Sequence, residues 1–159
     1  MTKIATVAII GAGQMGVGIA HAVALGGYQV RLYDIAPERL PVALGEIGAN
    51  LARQIGKGTV TQADADAALA RISTVQTLAE AGSADLVIEV AVEDEAVKKA
   101  LYAALTPHLG PNTLVASNTS SISITRLAAT TDRPDRFIGL HFMKPAPVMG
   151  LVEIIRGIA

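Results

Sequence analysis

The sequence predicts an α/β fold, a doubly wound and mostly parallel sheet making one domain over residues 1–159. Three observations predict it. Short aliphatic or β-branched runs alternate with segments of helical spacing along the chain. A glycine cluster stands between the first run and the first helical segment, where such sheets turn. The 159 residues are 51% hydrophobic and 17% charged, enough for one core, and the absence of cysteine excludes a disulfide framework, a thiolate metal site and a cysteine nucleophile. No metal site is expected.

Residues 6–10 read as a buried strand, residues 14–25 as a helix of alanine and small residues, and residues 29–33 as a second strand, so the chain opens on a βαβ unit. Leu40, Leu44, Ile47, Leu51 and Ile55 follow helical spacing, Pro41 fits only the first turn, and Gly56 and Gly58 end the helix. Thr61 is an N-cap for a short helix through Ala70, and residues 72–75 are a third strand. Residues 85–90 are a fourth strand, after which Glu93, Asp94 and Glu95 crowd a helix start and Lys98 and Lys99 follow one turn later, an order suited to the helix dipole and to i,i+4 pairing. Residues 113–116 are a fifth strand, residues 117–121 a polar loop and residues 124–129 a short helix. Strands at residues 137–142 and 151–155, joined by a proline-bearing loop, close the chain.

Charge narrows the function classes. Thirteen basic against 14 acidic residues give a net charge of -1, and aromatics are 3%, which argues against nucleic acid as a partner. Between Lys3 and Arg31 lie 27 residues without formal charge, but six glycines, Gln14 and His21 interrupt them, so neither a membrane span nor a signal peptide is expected. The expected location is the cytoplasm.

The strongest local signal is Gly11-Ala12-Gly13-Gln14-Met15-Gly16, set between a strand and a helix. In a Rossmann-type sheet the first glycine makes the tight turn, the second removes a Cβ from the path of a pyrophosphate, and the third lets helix and strand approach. The helix start then offers free N–H groups to phosphate. Asp34 ends the second strand 18 residues beyond Gly16, where a carboxylate accepts from ribose hydroxyls and repels a 2′-phosphate, so NAD is favoured over NADP. The alternative is that the glycines serve packing alone and Asp34 caps a turn.

His21 and His108 read as packing and helix-end residues. His141 differs, because it lies in a strand that ends at the ligand-facing rim, and Glu153 follows 12 residues later among aliphatic neighbours. A carboxylate there needs a partner. If the loop folds the two strands side by side, His141 and Glu153 face each other, and the pair suits a general base for alcohol oxidation; otherwise they are an edge-strand glutamate and a core histidine. The loop Ser117 to Ser121 lies at the crevice and either bonds a substrate oxygen or forms a capped turn. Lys57 meets a phosphate or stays a solvated loop lysine.

The glycine turn, Ser117-Asn118-Thr119-Ser120-Ser121, Arg136-Phe137-Ile138-Gly139-Leu140-His141-Phe142 and Leu151-Val152-Glu153 together resemble the 3-hydroxyacyl-CoA dehydrogenase family over nearly the whole chain. The resemblance implies an NAD-dependent, reversible oxidation of the 3-hydroxyl of an acyl-CoA, with bacterial 3-hydroxybutyryl-CoA dehydrogenases as its nearest form. It implies that His141 is the base, Glu153 its carboxylate partner and Ser120 a hydroxyl near both substrate and nicotinamide. Gly11, Gly13, Gln14, Met15, Gly16, Asp34, Glu93, Lys98, Ser120 and Lys144 are implied to line the cofactor, and Lys57 to lie in the region approaching CoA. Two positions depart from the family pattern: Lys144 stands in place of an asparagine, and Gly150 in place of a lysine. At roughly 4 Å and an effective dielectric near 20, an ammonium at the first position opposes the positive ring of NAD⁺ by about 4 kcal/mol. The family continues into a helical domain that covers the substrate and makes a homodimer contact. The competing expectations are an NAD-binding module without chemistry and an NAD-dependent dehydrogenase of a free β-hydroxyacid.

Overall fold

The computed structural model describes residues 3–158. Seven strands form one sheet: β1 (Thr6–Ile10), β2 (Gln29–Tyr33), β3 (Ile72–Thr74), β4 (Leu86–Glu89), β5 (Leu114–Ser117), β6 (Phe137–Phe142) and β7 (Val152–Arg156). Their order across the sheet is β3-β2-β1-β4-β5-β6-β7. The first six pair in parallel and β7 joins β6 antiparallel, so the doubly wound, mostly parallel expectation holds. The strand order reverses between β1 and β4, which opens a crevice at their carboxyl ends, the place where such sheets bind ligands.

Alternation along β1 feeds two cores. Val7 and Ile9 face helices α1 (Gln14–Leu25), α2 (Arg39–Gly56) and α3 (Gln62–Ala70), packing with Ile19, Ala20, Leu40, Ile47 and Leu51. Ala8 and Ile10 face α4 (Leu78–Gly82), α5 (Glu95–Leu105) and α6 (Ile124–Ala128), packing with Ala81, Tyr102, Leu105 and Leu127. On that side Tyr102 meets Phe137 edge to face at 5.0 Å.

Several boundaries follow from capping. Thr61 caps α3 by accepting from the Asp64 N–H, as expected. Asp94, rather than the acidic cluster as a whole, caps α5 through the Val97 N–H, which leaves Glu93 outside the helix and free to turn toward the crevice. The expected i,i+4 pairing forms between Glu95 and Lys99 at 2.8 Å, whereas Lys98 takes a different partner. Helix α4 was not expected: its capping box joins Thr77 and Glu80, but with 5 residues it is too short to show apolar periodicity. Among the described residues, no helix is long and apolar enough to cross a membrane.

Candidate active site

The glycine turn is shaped by contacts the sequence does not show. Gly11 adopts φ +115°, donates its N–H to the Tyr33 carbonyl at 2.8 Å, and has the Val90 carbonyl oxygen 2.6 Å from where a Cβ would stand. A Cβ on Gly16 would lie 1.7 Å from the Gly11 carbonyl oxygen, so α1 rests directly on the turn. Gly13 is different. Nothing lies within 4 Å of its Cβ position, so the missing side chain leaves an open cradle in front of the α1 N-terminus. Such a cradle, lined by a helix's free amides, fits a dinucleotide's pyrophosphate.

Asp34 caps the turn. Its Oδ2 accepts from the Ala12 N–H at 2.7 Å and its Oδ1 from the Ala36 N–H at 2.9 Å, so it clamps the glycine turn to the end of β2. Each carboxylate oxygen keeps further lone-pair capacity for a ribose hydroxyl.

His141 and Glu153 are register partners in the β6–β7 ladder, and His141 Nδ1 lies 2.8 Å from Glu153 Oε2. The premise behind the expectation needs correction. All of β7 is exposed, and Glu153 is held at an edge with its side chain 51% exposed rather than buried among aliphatic residues. A carboxylate at Nδ1 selects the tautomer with its proton there and leaves Nε2 as the acceptor.

His141 lines a small cleft of about 330 Å³ together with Ser120, Asn118, Glu93, Met15 and Lys144. Asn118 was missed by the sequence reading: its Oδ1 accepts from the Phe142 N–H at 2.8 Å, tying the loop after β5 to the end of β6 beside His141. Glu93 gathers the same loop. Its Oε1 accepts from the backbone N–H groups of Ser120 at 3.1 Å and Ser121 at 3.3 Å, from the Ser121 hydroxyl and from the Thr119 hydroxyl. Partial burial works to raise the Glu93 pKa, but the hydroxyl bonds and the Lys98 charge outweigh it and hold the carboxyl below its ordinary range.

Lys98 departs from the expectation that it lines the cofactor. It is 1% exposed and lies under the cleft floor, its Nζ 2.6 Å from Glu89 Oε1, a buried carboxylate the sequence reading did not single out. The signal was present, since Glu89 ends an otherwise apolar strand.

A second, larger cavity of about 710 Å³ opens between α1, α2 and the loop after β6, and Met15 and Lys144 line both spaces. Its lining is basic: Arg39, Arg53, Lys57 and Lys144 against the single carboxylate of Glu46, with Gln14, Asn50 and Gln54 beside them. Lys57 follows the last turn of α2 and lines this cavity beside Arg53. His21 is buried, as a packing residue should be, with Nε2 2.8 Å from Gln54 Oε1 and its pKa lowered by burial. His108 ends a 3₁₀ turn at the surface, away from both cavities. Gly150 is exposed and has open space around it.

Residues 6–159 match the family model of the 3-hydroxyacyl-CoA dehydrogenase NAD binding domain. The chain belongs to that family. It is 55% identical over 153 residues to a 3-hydroxybutyryl-CoA dehydrogenase of Bradyrhizobium diazoefficiens, covering 96% of this chain and 52% of that protein. It is 47% identical to the 3-hydroxyadipyl-CoA dehydrogenase of Escherichia coli, over 100% of this chain and 34% of that one. Among solved structures, the (S)-3-hydroxybutyryl-CoA dehydrogenase of Ralstonia eutropha superposes with a TM-score of 0.94 at 46% identity, covering 98% of this chain and 55% of its own. The chain therefore spans about half the length of these two 3-hydroxybutyryl-CoA dehydrogenases. As an NAD-binding domain of this family it carries the cofactor cradle, and the open position at Gly13 fits that group.

Proposed function

We propose that this chain is the cofactor-binding domain, spanning residues 1–159 as one unit, of an NAD-dependent dehydrogenase that oxidises short-chain (3S)-3-hydroxyacyl-CoA to 3-oxoacyl-CoA. The observation that carries the reading is the His141–Glu153 pair at 2.8 Å on the wall of the cleft that Ser120 and Lys144 also line.

The mechanism follows from what each residue can do. NAD, when bound, supplies the hydride acceptor. The amides at the start of α1 and the open face of Gly13 hold the pyrophosphate, Asp34 orients the adenosine ribose, and Glu93 fixes the cleft loop. His141 Nε2 takes the proton of the 3-hydroxyl while the C3–H bond breaks and its electron pair leaves as hydride, so the carbon is oxidised to the ketone. Glu153 stabilises the positive charge the imidazole gains, and the Ser120 hydroxyl orients the reacting oxygen. In the reverse direction the same imidazole returns the proton.

The basic cavity suits the other end of the substrate. Arg39, Arg53 and Lys57 face a space large enough for the phosphates and adenine of CoA, and the acyl end reaches the small cleft past Met15 and Lys144. The exposed apolar edge made by Leu151, Val152, Ile154 and Ile158 supports packing against a helical portion of the kind the resemblance implies, through which we expect a homodimer. We read the enzyme as cytoplasmic, acting on a soluble substrate without nucleic acid or membrane.

The test is loss of NADH absorbance with acetoacetyl-CoA in the full-length protein. Wild type turns over, and His141→Ala lowers kcat by about 10²–10⁴-fold while NADH affinity is unchanged. Near-normal turnover by the variant overturns the assignment.

A further inference from the structure

Beneath the cleft floor lies a polar cluster that the redox chemistry does not touch. Glu89 ends β4, the central strand, and is 0% exposed. Its Oε1 accepts from the Ala91 N–H and from Lys98 Nζ, both at 2.6 Å; its Oε2 accepts from the Ser117 hydroxyl at 2.7 Å and the Tyr102 hydroxyl at 3.0 Å. Burial and the Glu89 charge raise the Tyr102 pKa well above 10.0, so its hydroxyl stays a donor.

Lys98 does not stop at Glu89. Its Nζ also lies 3.3 Å from the Ala91 carbonyl oxygen and 3.7 Å from Glu93 Oε2. The other oxygen of Glu93 is the one that gathers Thr119, Ser120 and Ser121. Charges thus alternate, minus, plus, minus, from the buried end of β4 to the loop that carries Ser120.

A buried ion pair is a poor device for stability alone, because well-packed apolar residues in its place are often neutral or stabilising. An apolar pair here would cut the side-chain link that runs from Glu89 on the sheet through Lys98 to Glu93. We propose that Glu89 is a positioning residue for Ser120, acting through Lys98 and Glu93. This rests on the reading of Ser120 as a substrate-facing hydroxyl. The Glu89 charge fixes the Lys98 ammonium under the floor; Lys98 then holds one oxygen of Glu93, and the other is left to organise the loop. Without that charge, Lys98 is drawn to Glu93 alone and the Ser120 end of the loop loses this anchor, while Asn118 still holds its start to β6.

The test uses four variants of the full-length protein: Glu89→Gln, Glu93→Gln, the two combined, and Glu89→Gln with Lys98→Met. The readouts are kcat and KM with acetoacetyl-CoA and NADH, the melting temperature, and amide hydrogen exchange at Ser120 and Ser121. Glu89→Gln is expected to lower kcat by about tenfold or more, the scale of a small misplacement in the cleft, and to speed exchange at those two amides. The Glu89→Gln and Glu93→Gln combination is no slower than the slower single variant, because both break one chain. Glu89→Gln with Lys98→Met removes both buried charges, so the melting temperature recovers while kcat and amide protection do not. Recovery of all three together, or losses that multiply in the Glu89→Gln and Glu93→Gln combination, overturns the proposal. If wild type fails to turn over acetoacetyl-CoA, the dehydrogenase reading fails, and the exchange rates at Ser120 and Ser121 still decide the role of Glu89.

Discussion

His141 and Glu153 stand directly opposite each other across the β6–β7 ladder, with Nδ1 and Oε2 2.8 Å apart. Because β7 is the edge strand, the carboxylate is open to water while the imidazole side chain is only 22% exposed. The geometry fixes an orientation more than it stabilises the fold, since an exposed pair of this kind contributes about 0–1 kcal/mol.

Glu153→Gln should therefore separate chemistry from folding. It keeps the shape but not the charge that supports the imidazolium. The expected loss in kcat is about 10²-fold, with a stability change below about 1 kcal/mol, read by steady-state kinetics and urea unfolding of the same preparation.

Gly13 and Gly16 should part company on substitution. Gly13→Ala meets no atom and keeps an extended backbone (φ -75°, ψ -170°), so stability holds. NADH affinity falls by about tenfold or more, at least ~1.4 kcal/mol, because the methyl group fills the phosphate cradle. Gly16→Ala drives a methyl group into the Gly11 carbonyl and destabilises the protein by on the order of 3 kcal/mol. Fluorescence titration with NADH beside thermal melting distinguishes the two.

Asp34→Ala should show two effects at once. The Ala12 and Ala36 N–H groups lose their acceptor, lowering stability by about 1–3 kcal/mol. The NADPH to NADH affinity ratio rises, because no carboxylate is left to repel a 2′-phosphate. Isothermal titration with both nucleotides checks the second effect.

Stability should fall on acidification in part through Asp85. Its Oδ2 accepts from the N–H groups of Ala5 and Thr6 at 2.9 Å, and those backbone bonds hold its pKa below the ordinary 3.8. A carboxyl whose pKa is depressed by folding contributes stability that is complete above its unfolded pKa and is lost as pH falls through the folded one. Urea midpoints taken downward from pH 5 should drop less steeply for Asp85→Asn, which lacks the titrating group.

Much of this was legible in the sequence for local reasons. The glycine turn and Asp34 fall within one βαβ unit, so their spacing alone places them around α1. His141 and Glu153 meet because the β6–β7 register sets them opposite each other in an antiparallel ladder. The depth of each carboxylate was not legible. Glu153 sits between aliphatic residues and is half exposed, whereas Glu89 sits at a strand end and is fully buried. That inversion follows from sheet position: β7 is an edge, while β4 is flanked by β1 and β5 and covered by α5. Only strand order decides it, and strand order is not local. The charge order suits Lys98 to the helix dipole and to i,i+4 pairing, but its 2.6 Å partner, Glu89, lies on the strand before its helix, which local spacing does not reveal.

The most direct test is a crystal structure of the full-length protein with NADH and acetoacetyl-CoA bound. The nicotinamide is expected in the cleft lined by Ser120 and His141, with the substrate's 3-oxo oxygen within hydrogen-bond reach of His141 Nε2, roughly 2.6–3.2 Å, and Glu153 still on Nδ1. A nicotinamide bound elsewhere, or an imidazole turned away from the substrate, would contradict it.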